Sequence, residues 1–139
     1  MKLWFSAAKA SSNLRFWFTW FVIGVAMIVV VVYLSLAKVH LPQLPSTIGD
    51  KINHLIAYGV LCIWFGQLFR HHWQRNLIAF CLVLLGILME VLQGLTSYRY
   101  FDLLDACANT LGVCVGLAAL YYGADKMLQW FESNFLKAY

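Results

Sequence analysis

Four long apolar stretches divide the chain and predict four membrane-spanning helices. They cover residues 16–37, 52–69, 77–95 and 103–122. At about 1.5 Å per residue, each stretch reaches roughly 27 to 33 Å, which matches a hydrocarbon core of about 30 Å. Because no water satisfies backbone groups within that core, such stretches must be helical. The sequence therefore predicts an all-α, polytopic membrane protein: a four-transmembrane-helix bundle forming one domain over residues 1–139.

The segments outside the apolar stretches are short. The stretch RHHWQRN between the second and third spans predicts a tight turn, and the next connection is short enough to make the third and fourth spans an antiparallel hairpin. The C-terminal residues 125–137 predict an interfacial amphipathic helix that anchors the chain at the membrane surface. Its expected apolar face consists of Met127, Leu128, Phe131 and Phe135.

Composition agrees with a membrane protein and charge gives its orientation. Hydrophobic residues make up 63% of the chain and charged residues 12%, whereas a soluble domain carries about 25% charged residues. With the N-terminus in the cytoplasm, seven cations lie inside and three outside. The inner set is Lys2, Lys9, Arg15, Arg70, Arg75, Lys126 and Lys137, and the outer set is Lys38, Lys51 and Arg99. The positive-inside rule thus predicts two cytoplasmic termini, and the net charge of +4 indicates contact with membrane lipids rather than nucleic acid.

Polar side chains gather at the predicted outer ends of the last three spans. On each helix they follow a helical stripe, and glycines such as Gly112 and Gly116 continue one stripe deeper into the membrane. Three segments therefore bring their polar groups to one level of the bilayer. The predicted ligand-binding set is Asp50, Lys51, His54, Tyr58, Glu90, Gln93, Arg99, Asp102, Asp105 and Asn109.

These residue types suggest roles. Ionisable residues within a membrane are costly and are usually functional. Arg99 and Lys51 can hold an anionic headgroup, or pair with Asp102 and Asp50 instead. Glu90 is the deepest acid and the best candidate for a proton carrier or general base. Tyr58, Gln93 and Asn109 can donate hydrogen bonds to a ligand or simply pack the helices, and the whole cluster can also serve only to fix helix register.

Catalytic chemistry is open but not indicated by the motifs. The candidate catalytic residues are Glu90, Asp105 and His54, yet no nucleophile elbow or cysteine–histidine arrangement accompanies them. His54 with Glu90, Asp50 and Asp105 offers metal ligands, but the paired-histidine spacing of metal sites is missing. The four cysteines contain no C-x-x-C pair and are expected to be small apolar packing residues. We therefore expect neither a metal nor a cofactor.

The polar motifs resemble the VanZ-like membrane proteins, a family named for a protein linked to low-level teicoplanin resistance. The segment DKINHLIAYGVL matches the family pattern D-K-x-x-H-x-x-x-Y. The segment EVLQGLTSYRYFDLLDACANTLGVCVG supplies E-x-x-Q, an arginine and D-x-x-x-N-x-x-G-x-x-x-G. The resemblance implies a small multi-pass protein of the bacterial inner (cytoplasmic) membrane that acts at the cell envelope, without specifying a reaction.

Three functions remain open. The first is recognition or handling of an amphiphilic envelope molecule in a polar pocket at the outer leaflet: a lipid headgroup, a lipid-linked precursor or a glycopeptide antibiotic. The second is a membrane-embedded enzyme that acts on a lipid or lipid phosphate, with Glu90 or Asp105 in acid–base roles. The third is a structural or assembly factor. Membrane lipids are the expected partners, and the chain can also form a homo-oligomer.

Overall fold

A computed structural model describes residues 14–37, 47–96 and 100–136, and these residues fold almost entirely into helices. The four long helices are α1 (Trp17–Leu36), α2 (Thr47–Gln67), α3 (His72–Gly94) and α4 (Leu103–Tyr121). A short 3₁₀ turn (Ala124–Lys126) leads into the last helix, α5 (Met127–Phe135). The part of the chain that is described contains no β-strand, so the all-α prediction is confirmed.

Three of the described helices, α1, α3 and α4, are long and apolar enough to cross a membrane. The sequence prediction counted four spans. Helix α2 is long enough at 21 residues, but its first turns carry Asp50, Lys51, Asn53 and His54. These side chains lower the hydropathy of α2 below that of the other three helices. Length and composition alone therefore support three spanning helices.

Two helices begin earlier than the apolar pattern predicted. Helix α2 starts at Thr47 and α3 at His72, each five residues before the predicted start. Backbone hydrogen bonds form equally well beneath polar side chains, so a helix can extend beyond its apolar stretch. The predicted turn RHHWQRN is correspondingly wrong over most of its length. The turn itself is confined to residues 68–71, and Gln74 and Arg75 lie buried in the first turns of α3.

Buried Arg75 holds the start of α3 against the end of α2. Its Nε donates to the carbonyl oxygens of Gly66 at 3.0 Å and Phe69 at 2.8 Å. These carbonyls lie at the C-terminal end of α2, where the last C=O groups of a helix have no N–H partner within the helix. The guanidinium also reaches Asp125 Oδ2 at 3.1 Å. One side chain therefore joins the end of α2, the start of α3 and the 3₁₀ turn.

Helices α2 and α4 approach each other closely because both carry glycines on the faces that meet. A Cβ at Gly112 would overlap the carbonyl oxygen of Leu55. A Cβ at Gly116 would lie 2.6 Å from the carbonyl oxygen of Gly59, well inside contact distance. The predicted close approach of the Gly112 and Gly116 face is present, and its partner is α2.

Helix α5 is fixed to the bundle through Leu128 and Glu132, which are buried. Met127 and Phe135, on the face predicted to meet the membrane surface, are 59% and 66% exposed, so that face is free to do so. Glu132 accepts hydrogen bonds from the backbone N–H of Arg15 at 2.8 Å and of Phe16 at 3.0 Å. Its carboxylate therefore satisfies free N–H groups at the start of α1.

Outside these contacts, the bundle presents apolar side chains to its surroundings. Only Trp17 and Gly24 of α1 are buried. Cys62 packs inside as expected for a small apolar residue, but Cys81, Cys107 and Cys114 face outward. Such an apolar exterior suits a lipid environment, where outward hydrocarbon carries no cost.

Candidate functional site at one end of the bundle

The start of α2, the end of α3 and the start of α4 meet at one end of the bundle, with His54 at the centre. The two nitrogens of its ring face different groups. Nδ1 lies 3.0 Å from Asn109 Oδ1 and 3.9 Å from Glu90 Oε1. Nε2 lies 4.0 Å from Asp50 Oδ1 and 3.9 Å from Asp105 Oδ2. The three helices therefore bring together polar residues that are far apart in the chain, as predicted; we call this group the His54 cluster.

Lys51 forms the rim of the His54 cluster. Its Nζ donates to Asp102 Oδ2 at 2.7 Å and to Asp105 Oδ1 at 2.9 Å. These hydrogen bonds raise the pKa of Lys51 and lower that of Asp102. Asp102 also caps α4 by accepting from the backbone N–H of Leu104 at 2.8 Å. Lys51 thus pairs across helices with Asp102 and Asp105, whereas the sequence suggested Asp50 beside it.

Several of the most deeply buried polar atoms at this end of the bundle lack a hydrogen-bond partner among the described residues. Glu90 is fully buried, and neither of its carboxylate oxygens makes a hydrogen bond with the residues described, although the backbone N–H of Asp102 faces it. Tyr58 Oη and Asn109 Nδ2 are also buried without a partner there. Buried polar groups are paired in the great majority of proteins, so each exception needs a reason. The site therefore has unused capacity to hold a polar ligand.

The charge of the His54 cluster is unbalanced within the described residues. Four carboxylates, those of Asp50, Glu90, Asp102 and Asp105, face a single lysine, Lys51. With His54 neutral, the formal charge is four negative and one positive, or −3. Repulsion among carboxylates at such distances disfavours the fully ionised cluster. The group therefore favours protons or a bound cation.

An open apolar groove lies beside the polar cluster, between α3 and α4. It has a volume of about 500 Å³, within the range of small-molecule sites. Its wall includes Ala106, the neighbour of Asp105, and Ile87, one turn before Glu90. The lining residues are Ile87, Phe101, Leu103, Ala106, Cys107, Thr110, Leu111 and Cys114. A polar site and a hydrocarbon surface are thus adjacent.

Comparison with known proteins decides the family. A family model described as VanZ/LLP1 matches residues 4–124, which include α1 to α4 and the whole His54 cluster. The chain belongs to the VanZ/LLP1 family. The resemblance drawn from the polar motifs is confirmed.

One relative of this VanZ/LLP1 protein is an uncharacterized protein of the fission yeast Schizosaccharomyces pombe. The two are 33% identical over 98 residues, a region covering 68% of this chain and 58% of the relative. The chain thus matches less than two thirds of that protein's length. No solved structure matches the chain.

Two predicted ligand-binding residues of this VanZ/LLP1 protein differ from the others. Arg99 lies outside the described residues. Gln93 is buried, and its Nε2 donates to the carbonyl oxygen of Ser35 at 2.9 Å. It therefore connects α3 to the last turn of α1. The structure assigns Gln93 a contact between helices, one of the two roles suggested by its sequence.

A second polar group lies at the opposite end of the bundle and was missed from the sequence. Arg75 and Asp125 form an ion pair at 3.1 Å, and Gln67 Oε1 accepts from the backbone N–H of Leu128 at 2.8 Å. This group caps helix ends and holds α5, so its geometry is structural. The sequence carried one usable signal, since Glu132 is the only charged residue of α5. The partners of Glu132 lie in the turn before α1, far away in the sequence, so residue spacing could not predict them.

Proposed function

We propose that this VanZ/LLP1 protein crosses a membrane four times and binds an amphiphilic molecule at the membrane surface. Residues 52–67 of α2 form the fourth span. Two polar side chains within this span face the bundle: Tyr58 is 1% exposed, and the His54 side chain is 10% exposed. Because these two do not face lipid, they do not carry the usual cost of polar groups in a span. Asp50 and Lys51 precede the span, and Asn53 is exposed in its first turn. Both termini lie in the cytoplasm, and the His54 cluster opens at the outer leaflet of a bacterial inner membrane.

The observation that carries the proposal is Glu90. It is fully buried without a hydrogen-bond partner among the described residues. A carboxylate that only fixed helix packing would be expected to have partners for both oxygens. The adjacent groove offers an apolar wall for a hydrocarbon tail. A few convergent polar groups beside apolar surface are the usual composition of a ligand site.

The relative in a fission yeast guides the choice of ligand. A ligand common to bacteria and fungi, such as a membrane lipid with an ionic headgroup, fits both organisms better than a bacterial cell-wall precursor. Glycopeptide antibiotics remain a hypothesis suggested by the family name. We therefore favour a lipid headgroup in the His54 cluster, with the tail along α3 and α4.

Native mass spectrometry of the gently extracted protein tests this proposal. The variants are Glu90→Gln and Arg99→Ala, with Asp125→Asn as a control that removes a carboxylate at the opposite end. We expect a co-purified amphiphile on the wild type and on the control, and its loss from both site variants. Retention of the amphiphile by Glu90→Gln, or absence of any amphiphile from the wild type, would refute the proposal. The protein would then be better described as a structural or assembly factor.

A second candidate is a membrane enzyme that acts on a lipid or lipid phosphate. The distance of 3.9 Å between His54 Nδ1 and Glu90 Oε1 favours it, since the two side chains could exchange a proton after a small movement. Asp105 lies on the other side of the ring, at 3.9 Å from Nε2. Turnover of a lipid phosphate in vesicles that is abolished by Glu90→Gln would identify this activity. Unchanged turnover in that variant would exclude Glu90 as its acid or base.

A further inference from the structure

We infer that Asp50, His54 and Asp105 bind a first-row divalent cation, Mn²⁺ or Zn²⁺, and that this cation holds the phosphate of the amphiphile. The cation site stands on the geometry of three side chains from α2 and α4. Its link to a phosphate rests on the proposed function. The sequence named these three side chains, with Glu90, as possible metal ligands but predicted no metal because paired-histidine spacing is missing; this inference replaces that prediction on the distances between the ligand atoms.

The ligand atoms are already close. One oxygen of Asp50, Nε2 of His54 and one oxygen of Asp105 all lie within 4.8 Å of one another. Nitrogen and oxygen ligands bind these metals at about 2.0 to 2.2 Å, so neighbouring ligand atoms lie roughly 3.0 to 3.5 Å apart. Closing from the observed distances of 3.9 Å and 4.0 Å to His54 Nε2 requires a shift of about 0.5 to 1 Å. Side-chain rotation alone supplies a movement of that size.

The histidine is oriented for metal binding. An amide oxygen can only accept, so the contact of 3.0 Å between His54 Nδ1 and Asn109 Oδ1 places a hydrogen on Nδ1. In the neutral ring, the lone pair then lies on Nε2, the nitrogen that faces Asp50 and Asp105. Metal-binding histidines are usually held in this way, with the second ring nitrogen donating to an oxygen. Asn109 is the positioning residue of the site.

Glu90 adds negative charge beside the histidine that would bind the cation. It is fully buried, it lies on the Nδ1 side of the His54 ring at 3.9 Å, and its oxygens have no hydrogen-bond partner among the described residues. Lys51 balances one of the four carboxylates, and its Nζ donates to Asp102 Oδ2 and Asp105 Oδ1. Asp105 Oδ2 remains directed toward His54. A divalent cation would offset two of the three excess negative charges among the described residues.

The ligand set selects the metal class and leaves room for a ligand. Two carboxylates and an imidazole suit Mn²⁺ or Zn²⁺, whereas Mg²⁺ and Ca²⁺ prefer oxygen alone. Three protein ligands leave at least one coordination position open, as in sites that bind substrates rather than purely structural sites. The Asp50 side chain is 33% exposed, so the open side can face the headgroup region. A phosphate oxygen is the hard anionic ligand that fits this position, and Lys51 lies beside it.

Metal binding can be measured directly, without any lipid. The protein is purified with a tag free of histidine, stripped with EDTA and titrated with Mn²⁺ by electron paramagnetic resonance and with Zn²⁺ by calorimetry. The variants are Asp50→Asn and His54→Gln, and His71→Gln is the control, since His71 is exposed at the other end of the bundle. Asp50→Asn is the most informative, because Asp50 is partly exposed and its loss does not threaten the fold.

We expect one cation per chain in the wild type and the control, and at least a tenfold weaker association in Asp50→Asn and His54→Gln with helicity unchanged. Equal affinity in Asp50→Asn and the wild type, or no binding to the wild type, would overturn the metal site. Vesicles containing phosphatidic acid, titrated with and without Mn²⁺, separate the two proposals. Lipid binding that ignores Mn²⁺ would leave the proposed function intact and refute the bridging role. Metal binding without lipid binding would retain the metal site and refute the proposed function.

Discussion

Replacing Glu90 by glutamine should stabilise the protein, even though it removes a central side chain of the site. Glu90 is fully buried and makes no hydrogen bond with the described residues. A carboxylate at the centre of a membrane span costs about 2.5 to 3.5 kcal/mol, and somewhat less near the end of a span, where Glu90 lies. Glutamine has nearly the same volume, so it leaves no cavity, and an unpartnered amide costs about 1 to 2 kcal/mol. The difference predicts a gain of about 1 to 2 kcal/mol in the free energy of unfolding.

Thermal unfolding in detergent, followed by circular dichroism at the helix band, measures this gain. EDTA must be present so that no cation compensates the carboxylate. For a chain of 139 residues, the expected gain corresponds to a rise in Tm of roughly 4 to 8 °C. The matched control is Glu132→Gln, the same substitution at a glutamate that accepts hydrogen bonds from Arg15, Phe16 and Trp20. That control should lower Tm.

The comparison of the two glutamates shows whether Glu90 has stabilising partners. A fall in Tm for Glu90→Gln, similar to that of the control, would mean that Glu90 has stabilising partners and that the cluster serves helix packing. A rise in Tm together with loss of the bound amphiphile would show the exchange of stability for function that is common at binding sites.

Three further substitutions test individual contacts. Asp102→Ala should lower the free energy of unfolding through loss of both the α4 cap and the pairing with Lys51, while Asp102→Asn retains the cap and loses only that pairing; urea titration separates the two. Gln93→Leu should cost about 1 kcal/mol but leave the amphiphile bound in native mass spectrometry, because Gln93 contacts α1. Gly112→Ala should cost about 1 to 3 kcal/mol in thermal unfolding, whereas Ala118→Leu on the exposed face of α4 should change little.

Much of the fold followed from the sequence because its strongest signals are periodic. The apolar stretches located α1 and α4 within one residue at each end. Counting residues from the ends of the predicted spans placed Glu90 and Asn109 at one level, and both lie near His54 in the structure. Because a helix has a fixed rise per residue, the depth of a residue in a span can be counted from the end of that span, whatever the conformation of the connecting segments.

The other features of the fold and the site depend on contacts that leave no periodic pattern in the sequence. The starts of α2 and α3 lie in polar sequence, so the apolar pattern could not locate them. The choice of Asp102 and Asp105 as partners of Lys51 depends on how α2 and α4 rotate against each other. The role of Glu132 required knowing that α5 returns to the start of α1. The sequence named Asp50, His54 and Asp105 as possible metal ligands, but it could not give the distances between them across α2 and α4.

The glycine contacts explain how the His54 cluster can keep its geometry at the end of a bundle. His54 precedes Leu55, whose carbonyl oxygen touches Gly112, and Asn109 lies one turn before Gly112 on α4. This close backbone approach is therefore one turn or less from His54 and from Asn109, which orients it. A methyl group at position 112 would have to separate the helices by about 1 Å to reach ordinary contact distance. That displacement is as large as the closure proposed for the metal site, so Gly112→Ala should weaken ligand binding even in molecules that remain folded.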